Sequence, residues 1–371
     1  MYHRFNNSYF IAEDKVNGWG NRTYFTYYSE FNRKYAITPY IEASVLSILC
    51  IFSTVANSII FMTLTCNRSL RTVTNFFICN LAVSDMLFTM SGPIIGACRI
   101  TQSWTMGHCA CIMIVYMEFV SGSVSIWTMV MISVERFICI VKCSTSTFTR
   151  RIAVFVILVI WIVALLFYSP ILISFHVKTF PFGNSTVKIC TIEWPKMDTF
   201  RISLIFTSSI VLVYFFTPFI FLVHNYVRIF FKFWKTRQIA KRTRTQPDPT
   251  WPTARLHIQK IRDARDLKVI KIVFGLVIIF AIMWMPIFTV FIIILVDNAL
   301  NDMKLGSYIF IIGVCISMGN ACVNPILYGV MNEQVKTILV SCFKRKPLSS
   351  DMGHNRQLVR PHSLYSIEPA H

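Results

Sequence analysis

Seven long apolar runs, at roughly 38–64, 72–98, 109–141, 152–175, 200–231, 269–296 and 305–330, constrain this chain more than any other feature. A helix needs about 20 apolar residues to cross a hydrocarbon core of about 30 Å, and each run supplies them. Only 14% of the residues are charged and 55% are hydrophobic, whereas soluble domains carry about 25% charged residues. The apolar residues are therefore expected to face lipid and one another, not to build a separate soluble core. In lipid every backbone polar group must be bonded within the protein, which favours helices. The expected fold class is an all-α membrane protein, a seven-transmembrane helix bundle.

The charges between the runs sort by side. Basic residues follow run one (Arg68, Arg71), run three (Lys142, Arg150, Arg151), run five (from Lys232 to Lys271) and run seven (Lys344, Arg345, Lys346). Basic loops stay in the cytoplasm, so the expectation is a multi-pass plasma-membrane protein with its N-terminus outside. That partition accounts for the net charge of +19 and argues against a nucleic-acid partner. Residues 1–37 contain no compact apolar stretch before a small-residue cleavage site, so the first run is expected to act as its own insertion signal.

Four regions follow: an extracellular segment 1–37, the bundle 38–331, an amphipathic membrane-surface helix 332–343, and a disordered cytoplasmic tail 344–371. The surface helix is read from Val335, Ile338, Leu339 and Phe343 at helical spacing. Prolines in "TQPDPTWPT" (245–253) break the large inner loop. The glycosylation triplets at Asn6, Asn21 and Asn184 all fall on the outer side. Cys342, beside a basic cluster, has the usual setting for palmitoylation, and a free thiol is the alternative. The twelve cysteines show no metal-type spacing. Cys111 opens run three and Cys190 lies in the outer loop before run five, where the compartment is oxidising. Their pairing is expected, with Cys109 a rival that spacing does not exclude.

Polar groups inside the runs are costly and mark function. Asp85 in run two has Asn57, Ser125, Asn320 and Asn324 as polar company in neighbouring runs. Two readings stand: a sodium ion on Asp85, or a protonated Asp85 within a hydrogen-bond network. Pro218, Pro286 and Pro325 sit mid-run and permit kinks. Glu135 and Arg136 end run three side by side, as a membrane anchor or as a switch.

These residues form a series: "AN" at 56–57, "NLAVSD" at 80–85, "ERF" at 135–137, Trp161, Pro218, "WMP" at 284–286 and "NPILY" at 324–328, with Cys111 25 residues before Arg136. The series resembles that of rhodopsin-type G-protein-coupled receptors over residues 38–343. The resemblance implies a receptor, not an enzyme, with a heterotrimeric G protein of Gq or Gi type and arrestin as partners. It makes Glu135–Arg136 a switch, with Arg136 held at rest by Glu135 and by Asp266 and facing Tyr226 and the G protein when span six swings outward. Trp284, Pro286, Asn324, Pro325 and Tyr328 are the other implied switch positions. Phe137 departs from the usual tyrosine after the arginine.

Within the family, "CRITQSW" (98–104), "SGSVSI" (121–126), "ICTIEWP" (189–195) and "FAIMWMPI" (280–287) are similar to the long-chain fatty acid receptors. That likeness implies a small lipid ligand, with Arg99 forking onto its carboxylate and Trp194, Phe206, Trp284 and Phe288 walling its chain. The aromatic stretch Tyr24–Phe31 is expected to fold down as a lid. For Arg99 the bland reading is an interfacial anchor or a partner for an acid; for the aromatics it is helix packing. Glu118, 18 residues before Arg136, departs from the fatty acid receptors, which are apolar there. It pairs with Arg99, or receives the cation of an amine or peptide ligand, or hydrogen-bonds as a neutral acid. A retinal ligand is disfavoured because Lys304 sits at the outer edge of run seven, not in its middle. A transporter would need a polar route across the bilayer, and no internal repeat supports one. The runs contain no metal motif or nucleophile–base set for an intramembrane enzyme.

Overall fold

The structure is a computed structural model that describes residues 35–141, 149–182, 185–192, 202–245, 275, 278–293 and 307–331. Helices run over α1 (Thr38–Cys66), α2 (Val73–Thr89), α3 (Gly92–Thr101), α4 (Gly107–Val141), α5 (Arg150–Phe167), α6 (Ser169–Ser174), α7 (Ile202–Val211), α8 (Thr217–Thr245), α9 (Ile278–Ile293) and α10 (Ser307–Met331). Six apolar stretches are long enough to cross a membrane, and α9 is a shorter apolar helix among the described residues. With α2–α3, α5–α6 and α7–α8 each counted as one span, the seven expected runs are all accounted for. The expected outer segment 1–37 falls almost wholly outside the described residues, as do the surface helix 332–343, the tail 344–371 and the centre of the large inner loop.

Local chemistry sets the ends and breaks. Thr72 caps α2 by accepting the backbone N–H of Asn75, and Thr149 caps α5 by accepting that of Ile152. Pro39 and Pro93 stand in the first turns of α1 and α3, where a missing N–H costs nothing. Span two therefore breaks at Met90–Ser91 into α2 and α3, a division that its hydropathy did not reveal. Gln102 closes α3 in the left-handed conformation, φ 57°. Span five is interrupted by a π-helical turn over Leu212–Phe216, just before Pro218. Both the backbone N–H and the hydroxyl of Thr217 donate to Leu212 O there, five residues back.

The inner helices are α2–α3, α4 and α10. By contrast α5 presents Phe155, Leu158, Ile162 and Leu166 outward, as a lipid-facing helix should. Helices α1 and α3 approach closely at glycine. A Cβ on Gly96 would lie 2.9 Å from Ala43 Cα, and one on Gly92 2.9 Å from Leu46 O. Gly96→Val is expected to destabilise the bundle by about 1–3 kcal/mol through overpacking, read as a lower melting temperature of the purified protein.

One element was not anticipated. An antiparallel hairpin, β1 (Phe175–Phe182) and β2 (Ser185–Ile192), follows α6, with Phe175 opposite Ile192 and Val177 opposite Cys190. The fold class stands as an all-helical bundle with this single addition among the described residues. The hairpin is tied down twice. Cys190 is bonded to Cys111 at the start of α4, so the rival Cys109 is free and exposed. Lys188 O accepts the backbone N–H of Trp104 at 2.7 Å, and the buried Trp104 indole donates to Gly107 O at 2.7 Å.

Candidate functional site: an aromatic cavity above a buried polar network

A cavity opens between the spans. Helix α4 contributes Val115, Glu118, Phe119, Gly122, Ser123 and Ile126, one broad face over two to three turns. Helix α9 contributes Trp284, Ile287, Phe288 and Phe291, and α10 contributes Phe310, Val314 and Ser317. Phe88, Tyr168 and Ile210 complete the lining. The aromatics touch in series: Phe280–Trp284 at 6.4 Å, Trp284–Phe288 at 6.2 Å and Phe288–Phe291 at 6.0 Å between ring centroids. Their spacing of four, four and three residues places them on one face of α9. Trp284 also meets Phe88 at 5.6 Å, and a Cβ on Gly122 would come within 3.5 Å of Trp284.

The expected ligand residues divide. Glu118, Trp284 and Phe288 line the cavity, and Glu118 is the only charged residue among the described lining. Phe206 is not in that lining; its ring packs on Phe167 at 6.0 Å and Tyr168 at 6.2 Å. Arg99 is also absent from it. Its guanidinium is fully buried and grips Glu42 of α1 with Nε–Oε2 at 2.7 Å and Nη2–Oε1 at 2.9 Å. That two-pronged geometry is what a ligand carboxylate would need, and Glu42 occupies it. In this structure Arg99 thus makes a helix–helix ion pair, as the reading that gives it an acid for a partner expects. Sequence reasoning overlooked Glu42, although an acid just past the first turn of a membrane span is itself a signal. Trp194 lies outside the described residues.

Below the cavity the expected polar residues come together. Ser125 donates to Asp85 Oδ1 at 2.6 Å and Asn324 donates to Asp85 Oδ2 at 2.8 Å, joining α4, α2 and α10. The amide oxygens of Asn320 and Asn324 are buried with no hydrogen-bond partner. Asn57 donates to Ala321 O at 3.0 Å. That carbonyl is four residues before Pro325, whose ring nitrogen has no hydrogen to give it. Alongside, the indole of Trp161 donates to Asn80 and the Asn80 amide to Thr128, each at 2.8 Å, which pins lipid-facing α5 to α2 and α4.

At the far end of α4, Arg136 Nε stands 3.1 Å from Glu135 Oε2, and Arg136 also donates to the Thr74 hydroxyl at the start of α2. Cys139 donates to Glu135 Oε1 at 3.4 Å. Glu135 is buried while Arg136 is about one-third exposed, its side chain at 32%. Tyr226 and Tyr328 are buried, and Pro286 and Pro325 lie within their helices as expected. Thr74 was not anticipated. Asp266, Cys342, Asn6, Asn21 and Asn184 lie outside the described residues.

A bundle of this form, with an arginine–acid pair at one end, a disulfide-anchored hairpin at the other and an aromatic cavity between, agrees with the sequence pattern of the 7 transmembrane receptor (rhodopsin family), which matches residues 56–328. The chain belongs to that family of G-protein-coupled receptors. It is 30% identical over 315 residues to free fatty acid receptor 4 of Mus musculus, covering 84% of each chain. It is 28% identical over 346 residues to neuropeptide FF receptor 2 of Rattus norvegicus, covering 88% of this chain and 79% of that one. To neuropeptide Y receptor type 2 of Homo sapiens it is 27% identical over 316 residues, covering 83% and 78%. Family membership carries coupling to G proteins, and these relatives divide between lipid and peptide receptors by name.

Proposed function

We propose that this receptor answers an amphipathic ligand with a long apolar body and a cationic head, an amine or a peptide end, whose cation meets Glu118. The charge of the cavity wall carries this reading: one carboxylate and no basic side chain among the described lining residues, set in aromatic rings. A cation gains there from a charge-assisted bond and from the ring faces. A fatty acid carboxylate would meet Glu118 instead, with Arg99 already held by Glu42.

The ligand body would press on Phe288 and Trp284, two residues from the kink-permitting Pro286 on α9. A ligand shifts a two-state equilibrium only by its preference for one state, and contact with the helix that moves supplies that preference. Outward swing of span six would then expose Arg136 to the G protein, of Gq or Gi type, with arrestin binding the same activated form. The working topology is the plasma membrane with the hairpin end outside. The groups on Asp85 suit a sodium ion: its own carboxylate, the Ser125 hydroxyl and the side chain of Asn324, whose buried amide oxygen has no other partner. Bound there, sodium would supply the positive charge that balances Asp85 in the resting state.

The experiment is G-protein activation in cells expressing the chain, titrated with a long-chain primary amine, the matching fatty acid and its methyl ester. The amine is expected to activate, and Glu118→Gln to weaken it by about 30-fold or more, the effect of removing one partner of a buried charge pair. Full potency in Glu118→Gln would refute the cationic reading. The second reading, a long-chain fatty acid, is favoured by the largely apolar lining and by the likeness to free fatty acid receptor 4. Activation by the acid with silence from both amine and ester would establish it.

A further inference from the structure

Ser123 of α4 and Tyr168, between α5 and α6, hold their hydroxyls 2.7 Å apart in the cavity wall. Both are more than nine-tenths buried, at 4% and 1% exposure. The pair has two hydroxyl hydrogens and only one is used between them. Other hydroxyls of this region return their hydrogen to the helix or to a side chain. Ser121 donates to Met117 O at 2.5 Å, Thr128 to Val124 O at 2.6 Å and Ser317 to Val314 O at 2.8 Å. Ser123 makes no such backbone bond, and among the described residues the pair has no further partner. Whichever oxygen donates within the pair, the other keeps a hydrogen with no acceptor, in surroundings where an unmet donor is costly.

The site is also rigid. The Tyr168 ring stacks on Tyr214 at 5.3 Å and is met by Phe119 at 5.4 Å and Phe167 at 5.0 Å. The hydroxyl is thus fixed in place before any ligand arrives. Ser123 lies five residues beyond Glu118 on α4, about 7.5 Å along the axis, and the two residues border opposite edges of the helix's cavity face.

We propose that the Ser123–Tyr168 hydroxyl pair is a second polar subsite, donating one hydrogen bond to an acceptor oxygen in the ligand body, a carbonyl or an ether, away from the head group. Resting on the ligand-cavity reading above, this narrows the ligand class: one polar head at Glu118 and one acceptor oxygen several carbons along the chain.

The test uses the full-length receptor in lipid nanodiscs and two probe series, long-chain primary amines and long-chain fatty acids. In each, a single ketone is walked along the chain and compared with the plain parent. One ketone position is expected to bind roughly fivefold to tenfold tighter than its parent in the wild type. The double variant Ser123→Ala with Tyr168→Phe, which keeps the ring packing, should erase that advantage, the ketone and its plain parent then binding it alike. An advantage that survives the double variant overturns the proposal. So does a wild type in which no ketone position gains in either series, the result expected if a water molecule takes the spare hydrogen. A gain seen only among the acids, and lost in the double variant, would leave the subsite standing and remove the cationic head group.

Discussion

Arg136→Ala is expected to abolish ligand-driven nucleotide exchange on the G protein while surface expression stays within about twofold of wild type. Arg136 is a part-exposed cation at the end of α4 with few packing contacts to lose, held by Glu135 at 3.1 Å and by the Thr74 hydroxyl. The fold does not need it, since Glu135 keeps its bond from Cys139 on the same helix when Arg136 is removed. Glu135→Gln tests the other direction. It keeps the shape, removes the charge that restrains Arg136, and should raise ligand-free exchange, because a restraint of a few kcal/mol governs the resting population. Exchange assays in membranes, normalised to receptor number, read both. Preserved signalling in Arg136→Ala would end the switch assignment, and unchanged basal exchange in Glu135→Gln would place the restraint elsewhere.

Glu42→Ala is expected to be the most damaging substitution for folding among those discussed. It takes the Glu42 carboxylate away from a fully buried guanidinium, and breaking a buried pair from one side costs about 3–5 kcal/mol. The receptor should fail largely to reach the surface, and what is purified should melt at a lower temperature. Replacing both partners, Glu42→Leu with Arg99→Leu, should recover most of that loss, since an apolar pair of similar volume avoids the desolvation of both charges. The double variant also separates the two roles of Arg99. Normal ligand response in it would confirm that Arg99 holds α1 to α3. A well-expressed double variant with normal melting and no response would return Arg99 to ligand recognition.

The spans were legible because about 20 apolar residues leave little alternative in lipid. Asp85, Ser125 and Asn324 were legible as a set because membrane-buried polar groups must find one another. The hairpin was legible in principle: "FHVKTFPF" and "STVKICTI" are rich in β-formers and flank Gly183–Asn184, a two-residue turn signal. The cysteine and the glycosylation triplet dominate that stretch as signals, and neither bears on strand pairing. Glu42 and Thr74 were hidden for a different reason. Their partners, Arg99 and Arg136, lie on other helices, and a single sequence does not say which turns of two spans face each other. The Ser123–Tyr168 pair was hidden likewise, since one serine in "SGSVSI" looks like any other until the helix rotation is known.

Pro325 leaves Ala321 O without its helical donor, and Asn57, on another span, makes good the deficit. The two positions therefore behave as one inherited character. Losing Asn57 leaves an unmet carbonyl only while Pro325 remains. Restoring an ordinary residue at 325 makes the bond from Asn57 redundant, since its amide also donates to Ser53. Substitutions at these sites should be epistatic, so the order in which they arise along a lineage determines which intermediates fold. A kink in the last span thus narrows the mutational routes open to the first.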